Sequence, residues 1–503
     1  MIRSLLNTYT LKLNNKNRAV VETLVEGIRS GLRSMDVSVV SNLVCGAGLL
    51  KSAKGSKGNN LASGLVDEAA HILQLRQREI DRLRPHALIG LLQVSNHFPQ
   101  SFQTVVADAL LGSLHKFSFV DLKNLTTVMS NVPFRSPAIL RAIMYQAMQL
   151  SDQWQLPSVA KFMRALGELS FHNQDLAKQV AEFVVTKQSE WTPSLISQIA
   201  KAYSLLRIHV PEWGLFDQIC EYTANHLDDF SSLELYLVLY AFGELGYKPK
   251  NETEFYQSVT AYLESRFDDY PAETKIKLAS ALMLSEQVPE FMLKDVLQHK
   301  RPAGAVFQDV LVMRLNAHAH LACPNYSGPY VDSTLIPAVS HQSSALGRSV
   351  VQALKEAVGG NNKCVKTSVG TTLGYKIDAL VLLDENSKPV AVDQYQLSGV
   401  QSNESGQKLQ EVFEILDIHQ KPLPAEYQRI AVLTWSPKER IFDKDELTGR
   451  YNLQKKHLQL AGYKLMEVDY QEWNRAKTKF QQLSLIKFKL VEATRSKVEN
   501  IQE

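Results

Sequence analysis

Leu447–Trp473 reads LTGRYNLQKKHLQLAGYKLMEVDYQEW. Leu453, Leu458 and Leu460 supply the apolar side of a helix, and Arg450, Lys455 and Lys456 project from it. Gly462 ends that helix, because glycine takes the left-handed backbone without a Cβ penalty. Alternation follows: Lys464, Met466 and Val468 point to one face of a strand, and Tyr463 and Leu465 to the other. Trp473 is most simply the cap of a small core.

Upstream the same grammar continues. RIAVLTW (Arg429–Trp435) is a buried strand, preceded by an amphipathic helix over 404–416. CVKTSV (Cys364–Val369), GYKIDALVLL (Gly374–Leu383) and KPVAVDQYQ (Lys388–Gln396) read as strands separated by turns. A helix over Ser344–Val358 stops at Gly359-Gly360. These elements make residues 344–488 a small α/β domain with its core in 429–475, and 489–503 a basic tail.

Residues 16–300 read as almost wholly helical, in segments separated by short polar or Pro-containing breaks. Apolar helices carry a small or β-branched residue at a fixed place: Gly46, Val94, Val128, Ala165, Ala202, Ala241 and Ala281. The steps between them are 48, 34, 37, 37, 39 and 40 residues. A helix pair of that length cannot bury its own apolar face, so stacked pairs share one core and form an α-solenoid. The Pro-, Ser- and Gly-rich stretch within 301–343 is expected to link the two parts.

Composition restrains the functional reading. The 503 residues carry a net charge of +3, so any nucleic-acid contact must come from local patches. Four scattered cysteines argue for a reducing compartment. His318, His320 and Cys323 have an HxHxxC spacing, but no second cluster completes a metal site, and none is expected. No apolar run is long enough to span a membrane. The first acid is Glu22, after Arg3, Lys12, Lys16 and Arg18, as in organellar targeting peptides. The alternative for residues 1–15 is a basic arm that touches RNA.

Several motifs together resemble the C-terminal RAP domain of FAST kinase-like proteins. They are Ile430-Ala431-Val432, Leu447-Thr448-Gly449, Lys455-Lys456-His457-Leu458, Gly462-Tyr463, Glu472-Trp473 and the upstream GYKIDALVLLD. The 37-residue step resembles octotricopeptide and heptatricopeptide repeats of organelles, although helix pairs of this length also bind proteins. The resemblance implies a mainly α protein: an α-solenoid followed by a restriction-endonuclease-like α/β domain. It also implies organellar RNA as partner.

Such nucleases hold Mg²⁺ with an acid on one strand and an acid-x-lysine pair on the next. Asp378 stands at the first position. The pair reads Leu433-x-Trp435, or Asp393-x-Tyr395 if the strand at 388–396 is used. Both alignments lack the lysine, so the expectation is no catalysis, no cofactor and no metal, with Asp378 a vestigial acid. The kinase glycine loop, HRD, DFG and Walker A sequences are missing too.

Two basic stretches supply the RNA-contact candidates: Lys438, Arg440, Lys444, Arg450, Lys455, Lys456, His457 and Lys464, then Arg475, Lys477, Lys479, Lys487 and Lys489. The expected partners are ribosomal RNA and proteins of the mitochondrial ribosome, in the matrix. The alternatives are a plastid location, an mRNA processing or stability factor, a diverged RNA endonuclease, and a protein-interaction scaffold.

Overall fold

A computed structural model describes residues 23–495 apart from 24–25, 53–58, 96–97, 299–305, 332–343, 361, 372, 392–426 and 443. The arm at 1–15, the helix read over 404–416, the Asp393-x-Tyr395 pair and the end of the basic tail lie outside the described residues. The rest falls into two compact units, one ending at Leu206 and the other beginning at Arg207.

The first unit contains α1 (Val37–Ser52), α2 (Asn59–Leu75), α3 (Pro85–Val94), α4 (Gln100–Ser113), α5 (Phe119–Asn131) and α6 (Pro137–Gln149). It ends with α7 (Leu156–Glu168), α8 (Gln174–Thr186) and α9 (Pro193–Leu206). The second unit continues the pattern with α10 (Leu215–Asn225), α11 (Ser232–Leu245), α12 (Glu252–Glu264), α13 (Ala272–Leu284) and α14 (Glu290–Gln298).

The small residues mark alternate helices: α1, α3, α5, α7, α9, α11 and α13. Ala165, Ala202, Ala241 and Ala281 are buried. Within each unit these helices pack on their neighbours in the series, α5 on α7 and α7 on α9, and likewise α11 on α13. Glycine tightens two of the contacts. A Cβ at Gly167 would meet the Leu205 Cβ at 2.6 Å, and one at Gly243 would meet the Leu284 Cβ at 2.5 Å.

A second periodic mark went unread in the sequence. Phe117, Trp154, Trp191, Phe230 and Tyr270 each end a short 3₁₀ turn between the helices of a pair. Each backbone N–H is donated to the carbonyl three residues back. The Trp154 and Trp191 indoles donate to the Ala147 and Val184 carbonyls, at 3.1 and 3.0 Å. Each ring therefore closes its turn and fills the space beneath it.

The stretch expected to be a linker contains a further helix, α15 (Val306–Leu321), with Val312, Leu315 and Ala317 buried. The reading missed it because the Pro- and Gly-rich sequence lies after Ala322, not across the whole interval.

Next come α16 (Ala345–Ala357), β1 (Val365–Gly370), β2 (Lys376–Leu383), β3 (Pro389–Val390) and β4 (Gln428–Trp435). The chain then runs through α17 (Gly449–Leu460), β5 (Tyr463–Asp469), α18 (Tyr470–Arg475) and α19 (Lys479–Arg495). The sheet order is β1-β2-β4-β5, with β3 beside β2. All pairings are antiparallel except β4–β5, the two strands joined through α17.

Both sheet faces are covered. Leu433, Trp435, Ile377 and Tyr463 pack with Leu458 of α17 and Ala317 of α15. Val432, Ile430, Met466 and Val468 pack with Val350 and Leu354 of α16 and Ile486 of α19. Trp473 joins this second core, as its cap reading requires.

The sequence carried α16, β1, β2, β4, α17 and β5, whereas the strand read over 388–396 is the two residues Pro389–Val390, with 392–396 outside the described residues. It left α18 unread and divided α19 between the domain and a tail. Gly462, at φ +83°, ends α17 as its position suggested.

Candidate nucleic-acid interface

Helix α17 carries the densest run of candidate cations, and it is built to face inward. Its first residue, Gly449, packs on the backbone of α11: a Cβ there would overlap the carbonyl of Gly243. That contact sets Arg450 against Glu244, whose side chain is fully buried, at 2.6 Å from Nε. Two turns on, Lys456 pairs with Glu286. Lys455 reaches Glu467 of β5 at 2.9 Å.

His457 is not available to RNA. It is fully buried, with Nε2 3.0 Å from Nδ1 of His318 and Nδ1 2.9 Å from the Tyr375 hydroxyl. Burial, with His318 adding to it, holds the His457 imidazole far below its ordinary value, at about 3. Burial likewise holds His318 at about 4. A chain of three neutral groups thus ties α15, α17 and the approach to β2. It also accounts for His318 without a metal. His320 instead packs edge-on against Tyr330. Among the described residues no group of His, Cys, Asp or Glu is placed to hold a metal ion.

The histidine pair gives a testable pH dependence. Both folded-state values lie below the unfolded one, so the unfolded chain takes up protons first. Their contribution is complete above about pH 6.5 and is lost as pH falls toward 4, at about 1.4 kcal/mol per pH unit for each histidine. Urea unfolding at pH 7, 6 and 5 is expected to show this slope. A His318→Leu/His457→Leu variant should lack its share.

The other candidates divide by what holds them. Arg440 lies on Asp469, at 2.9 and 2.8 Å, and on Asp445 at 2.6 Å. Lys464 donates to the Thr494 carbonyl at 2.6 Å. Lys479 pairs with Glu356 at 2.9 Å, and Lys489 with Glu472 at 3.2 Å. Lys438, Arg475, Lys477 and Lys487 are exposed, and Lys444 is half-buried.

Two residues that the charge count ignored are exposed as well. Phe480 is 79% exposed and Phe488 64% exposed. On α19 the exposed positions Phe480, Ser484, Lys487, Phe488 and Val491 follow helical spacing and form one stripe. A solvent-facing strip of rings and cations can stack on unpaired bases while holding phosphates. The signal was present as phenylalanines inside the basic run KFQQLSLIKFKL.

Asp378 is half-buried on β2. Its Oδ2 accepts from the backbone N–H and the hydroxyl of Thr434 on β4, both at 2.9 Å. Burial raises its carboxyl above the ordinary value, and the two Thr434 bonds oppose that rise. Leu433 and Trp435, at the other nuclease positions, are both in the core. The Trp435 indole donates to Glu467 at 2.7 Å.

A helical-repeat array whose last helices clasp a RAP-type α/β module defines the class of this protein. Residues 235–301 and 310–391 match FAST kinase-like protein subdomains 1 and 2, and residues 441–489 match the RAP domain. Residues 2–260, just over half the chain, match the RNA-editing substrate-binding complex 6 protein family. The chain belongs to the RNA-editing substrate-binding complex 6 protein family, and it carries FAST kinase-like subdomains 1 and 2 and a RAP domain.

It is similar to FAST kinase domain-containing protein 4 of Rattus norvegicus, with 26% identity over 85% of this chain and 67% of the relative. It is also similar to FAST kinase domain-containing protein 1, mitochondrial, of Xenopus laevis, with 27% identity over 53% of this chain and 35% of the relative. FAST kinase domain-containing protein 3, mitochondrial, of Mus musculus is 23% identical over 80% of this chain and 60% of its own. The chain therefore spans about two thirds of the first of these and less of the others. No helix among the described residues is long and apolar enough to cross a membrane.

Proposed function

We infer that this protein binds RNA in mitochondria without cutting it, and that its target is ribosomal RNA of the mitochondrial ribosome. The outward strip of α19, with Phe480, Lys487 and Phe488, together with the exposed Arg475 and Lys477 that precede it in the chain, carries the RNA-binding reading. The name of one matched family, the RNA-editing substrate-binding complex 6 protein, supports it, and two relatives are named as mitochondrial. The repeats show no side-chain code at fixed positions, which favours recognition of shape and backbone in a structured RNA. Core residues at 433 and 435, and an Asp378 occupied by Thr434, support a non-catalytic role. The name of the editing-complex family favours a second reading, in which the target is a transcript undergoing processing.

Salt titration of binding to a single-stranded RNA separates the two parts of the strip. Arg475→Gln, Lys477→Gln and Lys487→Gln together are expected to lower the slope of log K against log salt by about 2, at ~0.7 per lost phosphate contact. Phe480→Ala with Phe488→Ala should weaken binding at least about tenfold and leave the slope unchanged. Unaltered binding in both variants would remove the strip from the interface. Crosslinking in mitochondria followed by sequencing then decides between targets: ribosomal reads support the first reading, and messenger reads the second. Cleavage of RNA by the purified protein in Mg²⁺, lost in Asp378→Ala, would overturn the non-catalytic reading.

A further inference from the structure

A cavity of about 110 Å³ lies between α11, α13, α15 and α17. The three family-matched segments all contribute to its wall. Tyr236, Tyr240 and Ser280 come from 235–301, Arg314 and Tyr375 from 310–391, and Arg450 from 441–489. The space exists only where all three segments pack together.

Its chemistry is specific. Tyr236 and Tyr240 are half-exposed rings with centroids 5.8 Å apart. Ser280 is 7% exposed, and its hydroxyl has no hydrogen-bond partner among the described residues. Leaving a buried hydroxyl unmatched is costly, and a cavity of this size has room for about four waters or one flat ring. The Arg314 guanidinium lies over the Tyr375 ring at 5.0 Å and donates to the Gly374 carbonyl at 3.1 Å. Aromatic faces, an unused buried hydroxyl and the Arg314 guanidinium at the wall together suit a planar, hydrogen-bonding ring that carries a phosphate.

We propose that this cavity takes a single unpaired base of the bound RNA, stacked on Tyr236 or Tyr240 and hydrogen-bonded by Ser280. The proposal rests on the RNA-binding reading and names a site for it away from the strip on α19. A base within a duplex cannot enter, so the cavity selects looped or bulged nucleotides. It also gives the docking of α17 on α11 and α13 a role in binding, since Arg450 and Leu453 of α17 form part of the cavity wall.

The test uses the full chain and an oligouridylate 12-mer carrying 5-bromouridine. Irradiation and mass spectrometry are expected to place a crosslink on Tyr236 or Tyr240. Tyr236→Ala should weaken binding roughly 5- to 150-fold, the range for losing one stacked base, without changing the salt slope. Ser280→Ala removes only an unpartnered hydroxyl, so it should weaken binding several-fold at an undiminished melting temperature. If the RNA binds but crosslinks elsewhere, and both variants bind like wild type, the cavity proposal falls and the RNA-binding reading stands. Failure of wild type to bind any single-stranded RNA sinks the RNA-binding reading first, and this proposal with it. If free UMP displaces the crosslink as well as unlabelled oligouridylate does, the ligand is a free nucleotide and the assignment to RNA is overturned.

Discussion

Gly449→Ala is expected to destabilise the second unit by about 3 kcal/mol or more, the upper part of the range for overpacking a tight contact. The added methyl would fall on the Gly243 carbonyl, which is backbone and cannot rotate aside. Gly243 is itself fixed from the other side, because its own Cα faces the Leu284 Cβ on α13. Relief therefore requires α17 to lift from α11. That movement also strains the Arg450–Glu244 and Lys456–Glu286 pairs and the His457–His318 bond. Thermal melting should show a drop of at least about 6 °C, and hydrogen exchange should speed up along α17. Gly462→Ala is the matched control. Its φ of +83° makes alanine unfavourable, but nothing lies within 4 Å of the new methyl, so about 1 kcal/mol is expected. Equal losses at the two glycines would show that crowding at Gly243 does not set the requirement at 449.

What the sequence could and could not disclose follows from the range of each interaction. The repeat was legible because Ala165, Ala202, Ala241 and Ala281 answer to a constraint that recurs at a fixed step. β4 was legible because both of its faces are buried and it reads as an unbroken apolar run. The role of α17 was not legible. Arg450 and Lys456 display their charge in the sequence, but their partners lie 206 and 170 residues away. A lysine bound to a distant glutamate and a lysine waiting for a phosphate are identical on the page. His457 misled for the same reason, because its partner His318 sits 139 residues upstream in a stretch taken for a linker. Phe480 and Phe488 show the converse: rings that a count of charges passes over are exposed, because the inward side of α19 is already filled by Ile486 and Ala493. The candidate set drawn from charge thus mixed residues that hold the fold together with residues that face solvent.

Arg450→Ala is expected to cost more than removal of its partner, although both variants delete the same ion pair. The Glu244 side chain has no exposure, whereas that of Arg450 keeps 43% of its surface in solvent. Deleting the arginine leaves a carboxylate with no route to water, and breaking a buried pair in that way costs about 3–5 kcal/mol. One oxygen of Glu244 already lacks a partner among the described residues, so little remains to compensate for the loss. Deleting the charge on the other side, with Glu244→Gln, leaves a guanidinium that can turn outward and hydrate. That change should cost about 1 kcal/mol, the worth of an ordinary hydrogen bond. Denaturant midpoints for the two single variants and for Glu244→Met/Arg450→Met test the asymmetry. The double variant should recover most of the loss seen in Arg450→Ala, because apolar side chains of similar length replace a charge pair that had to be desolvated. If Glu244→Gln were the more damaging change, the pair would be held by the arginine's own packing over Tyr451, 5.6 Å from that ring, and not by the buried carboxylate. The same comparison bears on RNA. A side chain that must neutralise Glu244 is not free to neutralise phosphate, so Glu244→Gln should strengthen binding to single-stranded RNA and steepen its salt dependence by about 0.7.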